Sequence, residues 1–242
     1  MAAQSFLKAM LGAWLLIACS EACFAQTPPV SPNPVVVELF QSQGCSSCPP
    51  AEANLNAVAG EPGILALSFG VTYWDSLGWK DTFATTAYTD RQWAYAHRRG
   101  RDNVWTPQIY VDGHIDLVGT DPAQLATAIA QARRRAMATS PSFSWQVNQL
   151  LIGKDASISP CDVWLVRYDT RTIQVGINAG ENSGRTLPHR NVVRELIHLG
   201  RWDGSARTFI LPPPALNGLS TTALVQSGAG GDIIGASKQP GP

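Results

Sequence analysis

The chain has 242 residues, with 18 Lys and Arg against 18 Asp and Glu, 45% hydrophobic residues and 15% charged ones. Intrinsic disorder is excluded, because it needs low hydrophobicity and high net charge. The zero formal charge argues against a nucleic-acid or anionic-membrane binder, which needs surplus cations to neutralise phosphates. Five cysteines are too few for a disulfide-dense scaffold of this length and enough for a redox site.

Lys8 precedes an uncharged apolar run over residues 9–18, shorter than the ~20 residues that cross a bilayer. A lone positive charge, a short apolar core and then small residues form the secretory pattern, so residues 1–25 read as a signal peptide. Cleavage after Ala25 predicts a periplasmic or secreted protein. Leu16-Ile17-Ala18-Cys19 also resembles a lipoprotein box, which makes lipidation of Cys19 the alternative. No later segment reads as a transmembrane span. Cleavage after Ala25 leaves Cys45, Cys48 and Cys161, an odd count with one thiol over in an oxidising compartment.

Residues 26–34 are a proline-rich lead-in, extended by composition. Residues 35–40 are apolar and β-branched and predict a buried strand; 50–59 carry Ala51, Leu55 and Val58 at helical spacing. Residues 64–69 predict a second buried strand, 72–83 an aromatic, turn-rich loop, and 84–99 a helix. Residues 108–111 and 114–118 flank Asp112-Gly113, a hairpin signal. Asp121-Pro122 predicts a helix start, running to about residue 138. Beyond Ser140-Pro141 helical periodicity gives way to short β-type runs at 143–152, 163–168, 172–178, 191–199, 207–211, 223–226 and 233–234. The fold class expected is therefore an α/β layer domain over 35–139, followed by an antiparallel β-sandwich over 142–238.

Cys45-Ser46-Ser47-Cys48 lies between the first strand and the first helix. Two intervening residues let the sulfurs meet across one turn, and N–H groups at a helix start favour a thiolate. Pro49 and Pro50 remove two of those N–H groups and push the regular helix start to Pro50. No His, Lys or Arg adjoins the motif, which points to a mild thiol of reductase or isomerase poise. Three readings stay open for the pair: redox exchange, a structural disulfide, or a copper(I) site through two soft sulfurs. No metal site is assigned, because His97, His114, His189 and His198 lie far from the cysteines in sequence. Tyr73, Trp74, Trp79 and Trp105 form either a packing cluster or an apolar docking surface for protein clients. Cys161 reads as a buried small hydrophobe, with a partnership to the Cys45/Cys48 pair as its alternative. Arg185, Arg190, Arg194 and Glu195 read as a salt-bridged face, and His189 and His198 as opposite faces of one long strand.

Thr106-Pro107 ahead of the strand at 108–111, together with the Cys pair, resembles the thioredoxin superfamily over about residues 35–138. The strings Val36-Val37-Glu38-Leu39-Phe40-Gln41-Ser42-Gln43-Gly44-Cys45, Tyr73-Trp74-Asp75-Ser76-Leu77-Gly78-Trp79 and Gly180-Glu181-Asn182-Ser183-Gly184 resemble the exported bacterial family DUF1223. The likeness to thioredoxins implies a cis Pro107 lying against an exposed attacking Cys45, with Cys48 buried as the resolving thiol. It implies Glu38 as the buried acid beneath the second cysteine, and Thr106 as a backbone partner for an extended peptide. The implied function is an exported thiol–disulfide oxidoreductase, with a non-catalytic binding module as the alternative. It calls for no cofactor, and for two kinds of partner: exported protein thiols and a protein that resets the cysteines.

Overall fold

The computed structural model describes residues 33–135 and 140–241. The expected signal peptide, its two cleavage points and nearly all of the proline-rich lead-in lie outside the described residues. No helix among the described residues is long and apolar enough to cross a membrane.

The first half follows the order expected: β1 (Val35–Gln41), α1 (Pro49–Val58), β2 (Ile64–Gly70), a 3-10 turn (Asp75–Leu77), α2 (Thr86–Arg98), β3 (Gln108–Val111), β4 (Ile115–Leu117) and α3 (Pro122–Arg135). β1 runs parallel to β2 and antiparallel to β3, and β3 antiparallel to β4. The β3–β4 connection is the three residues Asp112–His114 between paired Val111 and Ile115, and both Asp112 (φ 47°) and Gly113 (φ 62°) are left-handed, a conformation that Asp and Gly tolerate.

The second half is all β: β5 (Phe143–Gln146), β6 (Gln149–Ile152), β7 (Cys161–Asp169), β8 (Ile173–Gly176), β9 (Thr186–His189), β10 (Val192–Trp202), β11 (Arg207–Ile210), β12 (Ser220–Gln226) and β13 (Ile233–Lys238). The run at 143–152 is a hairpin rather than one strand, turning at Val147-Asn148. His189 and His198 fall on separate strands, because Asn191 turns the chain with φ 53° between β9 and β10.

Strands from both halves form one eight-stranded mixed sheet, in the order β13-β12-β7-β10-β2-β1-β3-β4. The seam is β10 alongside β2, with Val192 opposite Ser68. Asn191 fastens it: its carbonyl accepts from Ser68 N–H (2.9 Å) and its amide donates to Ala66 C=O (2.9 Å). β11-β6-β5 form a three-stranded sheet, and β8-β9 a two-stranded hairpin of their own.

Side-chain parity distributes the core. Val35, Val37 and Leu39 of β1 pack with Ala51 and Leu55 of α1 and with Leu125 and Ile129 of α3. Val36 and Phe40 point to the opposite face, onto Tyr88 and Tyr95 of α2 and onto Val166, Val193 and Leu224 from the second half. A third cluster joins Val163, Leu165, Ala223 and Val225 of the large sheet to Leu150, Ile152 and Phe209 of the three-stranded one. Burial of these apolar surfaces, at about 25 cal/mol per Å², is the main force holding both halves to a common sheet.

Candidate functional site

β1 ends at Gln41, and the chain then turns twice before α1, with Cys45 N–H donating to Ser42 C=O (3.1 Å) and Cys48 N–H to Cys45 C=O (3.2 Å). Cys45 and Cys48 are joined by a disulfide, with their Cα atoms 5.4 Å apart. Cys48 caps α1 and already has helical angles (φ −75°, ψ −36°), so the helix begins at Pro49 rather than at Pro50. The preceding turn and the bond from Glu52 N–H to Cys48 C=O (3.1 Å) hold Cys48 in a region that a following proline disfavours.

Cys48 is buried as expected, at 1% exposure, but Cys45 is buried too, at 0%; the expectation of an exposed leading sulfur is corrected. Ser46 and Ser47 between them are exposed, and the Ser47 hydroxyl lies 3.4 Å from Cys45 Sγ. The loop that carries Cys45 is bonded from the second half of the chain. Asn182, fully buried at the tip of the β8–β9 hairpin, donates from Nδ2 to the carbonyls of Gln43 and Cys45, at 2.9 Å each. Its neighbour Glu181 accepts from Ser46 N–H (3.0 Å) and Ser46 Oγ–H (2.7 Å), and these bonds hold its carboxyl below the usual range.

The Thr106–Pro107 bond is cis. Because Phe40 pairs with Gln108, the antiparallel register carries Pro107 to the end of β1 where the cysteine loop begins. Thr106 Oγ1 accepts from Trp74 Nε1 (2.7 Å), and Trp79 Nε1 donates to Gln43 Oε1 (3.0 Å). Both indoles are half-buried walls of the cysteine loop, and Trp105 is half-buried with its carbonyl accepting from Gln92 Nε2 (2.7 Å). Tyr73 is the most open of the four, and burial of much of its ring pushes its hydroxyl up to about 12.

Glu38 is not beneath the cysteines. Its parity is that of Val36 and Phe40, so it lies on the α2 face, whereas α1 packs on the other. There its oxygens accept from Arg91 Nε (2.8 Å), Arg91 Nη2 (3.2 Å) and the Tyr95 hydroxyl, and Arg91 Nη1 reaches Gln226 Oε1 (3.1 Å). The guanidinium also faces the rings of Tyr95 and Trp164 at 5.3 and 5.5 Å. A carboxylate engaged in this way is a fixed tie between the halves rather than a free proton carrier.

Behind the cysteine loop stands an acid–imidazole cluster that sequence reasoning missed. Glu52 follows Cys48 by one helical turn on the same face of α1, and its Oε1 lies 2.6 Å from Nδ1 of the fully buried His189. His189 Nε2 is buried without a hydrogen-bond partner among the described residues, and Phe83 meets the ring edge-on at 5.5 Å. Asp81 accepts from Gln43 N–H (2.7 Å) and Phe83 N–H (2.7 Å). Burial pushes both Glu52 and Asp81 above the usual carboxylate range. Gln43, Asp81, Asn182 and His189 lie far apart in sequence, and nothing local signals that they meet.

The expected salt-bridged face is corrected as well. Glu195 pairs with Arg167 (2.6 Å), while Arg185 bonds the Asn182 side chain and Arg194 faces the Phe83 ring at 5.1 Å, so no salt-bridged face forms among the four residues proposed. Cys161 is a buried free thiol in the second-half core, its Sγ–H donating to Ser159 C=O (3.1 Å), and burial pushes its thiol up. Among the described residues no group of three or more His, Cys, Asp or Glu is arranged to hold a metal ion.

Fold and site together define a mixed α/β protein with a disulfide at a strand-to-helix corner, in a loop hydrogen-bonded by a hairpin from the far half of its own chain. The chain belongs to the family described as "Protein of unknown function (DUF1223)", whose model matches residues 36–226. It is similar to a structural-genomics target from Agrobacterium tumefaciens known from its X-ray crystal structure. The two share 30% identity with a TM-score of 0.71, over 86% of this chain and 94% of the other. No curated protein matches.

Proposed function

We propose that this is an exported thiol–disulfide oxidoreductase acting through Cys45 and Cys48. The observation that carries the reading is the pair itself: two cysteines at disulfide distance, at the mouth of α1, with a cis-proline at the same end of β1. The β2-β1-β3-β4 order, with α1 and α3 on one face and α2 on the other, supports a thioredoxin-like domain. The three-stranded sheet packed on β7 and β12 supports a sandwich-like second half.

In the reduced protein the Cys45 thiolate attacks a client disulfide, and one client sulfur leaves as a thiolate. Cys48, deprotonated, then attacks the Cys45 sulfur of the mixed disulfide, releasing the second client thiolate. Two electrons have passed to the client, and a dithiol partner must return them. The local charges favour a mild thiol: Glu52, Asp81 and Glu181 surround the corner, and Pro49 and Pro50 donate nothing to a thiolate. That fits a reductase or isomerase better than a strong oxidant.

The test is the reduction potential of the purified protein, with Cys45→Ser and Cys48→Ser as controls. A potential within reach of periplasmic dithiol partners, abolished in both variants, is expected. A potential below about −300 mV would mark a structural disulfide and overturn the proposal. One equivalent of copper(I) retained through a chelator challenge would replace it with the binding module.

A further inference from the structure

The chemistry proposed for Cys45 meets an obstacle in the closed cover, and the atoms of that cover indicate what displaces it. The cysteine loop presents three main-chain groups outside any strand pairing: the carbonyls of Gln43 and Cys45 and the N–H of Ser46. Asn182 answers the two carbonyls with the two hydrogens of its amide, and Glu181 answers the N–H with a carboxylate oxygen. A donor and an acceptor side by side are what an extended peptide offers along its backbone.

The base of the hairpin that brings them is anchored by His189 on Glu52, but its tip is joined to the large sheet by no strand pairing. β8 and β9 pair with each other and with neither of the other sheets. The tip closes on itself through Ile177 N–H to Arg185 C=O (2.8 Å) and Gly184 N–H to Ile177 C=O (2.8 Å). Across residues 177–186 only Ile177 and Asn182 are buried. The tip can therefore lift without breaking a strand pairing of the large sheet, the kind of low-cost local opening that binding loops use.

We infer that Glu181-Asn182 is an internal stand-in for a client polypeptide: it occupies the main-chain hydrogen-bonding positions around Cys45 until an extended segment of another protein takes them. The inference rests on the reading of Cys45 as the attacking thiol and adds the substrate class, an unfolded or extended chain rather than a small disulfide. Clients are then admitted by exchange of hydrogen bonds. Compact thiols such as glutathione, lacking a run of backbone on both sides of the sulfur, do not hold the tip open.

Two measurements on the full chain test this. First, the reduced protein is treated with iodoacetamide and modification at Cys45 is read by mass spectrometry of digests. Asn182→Ala removes both hydrogen bonds to the cysteine loop, together with the one from Arg185, and is expected to raise the Cys45 rate about tenfold; Glu181→Ala is expected to raise it about threefold. Melting temperatures accompany both, and the exposed Glu181 site keeps the test valid where Asn182→Ala weakens the fold. Equal Cys45 rates in wild type and Glu181→Ala would overturn the cover. Rates are compared on the high-pH plateau of the pH–rate profile, where loss of the Glu181 charge no longer changes the thiolate fraction, so the readout concerns access and stands or falls independently of the reduction potential.

Second, Cys48→Ala protein is mixed with an unstructured decapeptide whose single cysteine is linked to thionitrobenzoate, or with mercaptoethanol linked likewise. Attack by the Cys45 thiolate forms the mixed disulfide and expels the coloured thionitrobenzoate anion. The peptide is expected to react about tenfold faster than the small disulfide, and to lose that advantage when the amides flanking its cysteine are N-methylated. Equal rates for peptide and small disulfide, or no effect of methylation, would refute the main-chain reading.

Discussion

Replacing Arg91 by Met probes whether the buried ion pair ties the two halves together. The guanidinium is buried, donating to both oxygens of Glu38 on β1 and to Gln226 on β12. Met occupies similar volume, so little cavity arises, but Glu38 keeps only the Tyr95 hydroxyl among its described partners. Stripping one member from a buried ion pair costs about 3–5 kcal/mol, and losing the Gln226 bond adds about 1 kcal/mol. The sum, about 4–6 kcal/mol, is comparable with the whole stability of an ordinary domain, of order 5–15 kcal/mol. Urea unfolding at pH 7, with midpoints and slopes fitted together, measures it. The Arg91→Met/Glu38→Gln double variant buries no net charge and leaves Tyr95 an acceptor, so it is expected to recover at least half of the loss. A single-variant loss under about 1 kcal/mol at unchanged slope, or a double variant worse than the single one, would refute the reasoning.

Three further outcomes are expected. Burial pushes Asp112 up to about 6, so its contribution to stability is complete below pH ~4, the unfolded value, and is lost as the pH rises through the folded one. Asp112→Asn keeps an acceptor for Val36 N–H (2.7 Å) and tolerates φ 47°; at pH 7 it should be more stable than wild type by about 2 kcal/mol, with the difference vanishing near pH 4. Urea midpoints that run parallel for the two proteins from pH 4 to 7 would contradict this. His189→Ala strands Glu52, whose carboxyl burial already raises; the loss should be about 2–4 kcal/mol at pH 8 and smaller at pH 5, where proton uptake relieves the charge. Melting curves at the two pH values decide, and an equal loss at both would count against the assignment. Asn191→Ala leaves Ala66 C=O without its side-chain donor and replaces a residue that tolerates the left-handed region with one that does so poorly at φ 53°, for about 2–3 kcal/mol, while Asn191→Gly keeps the turn and should lose less. Equal losses on urea unfolding would show that backbone strain plays no part.

Much of the first half was legible because its signals are local. Buried strands announced themselves as apolar β-branched runs, Asp112-Gly113 marked its own turn, and the Cys45/Cys48 spacing marked the corner. What escaped is non-local. β9 carries Pro188, which argues against a strand unless its neighbour is one short hairpin partner, as it is here. The seam between β2 and β10 rests on Val192 opposite Ser68 and the two bonds of Asn191, too few residues to leave a periodicity. Glu38 was misplaced because its partner, Arg91, sits on a helix whose face could not be set before the sheet was known. The burial of Cys45 was invisible for a similar reason, since Asn182 lies 137 positions along the chain.

The seam at β2 also governs how this protein can be made. As the chain folds, β1, β2, β3 and β4 can assemble early, yet the outer rim of β2 stays raw until Val192 has docked. Through that interval it offers unpaired N–H and C=O groups to any passing strand, the usual seed of edge-to-edge association. A fragment ended after α3 would remain in that condition permanently and is a poor choice for expression, however self-contained its element order looks.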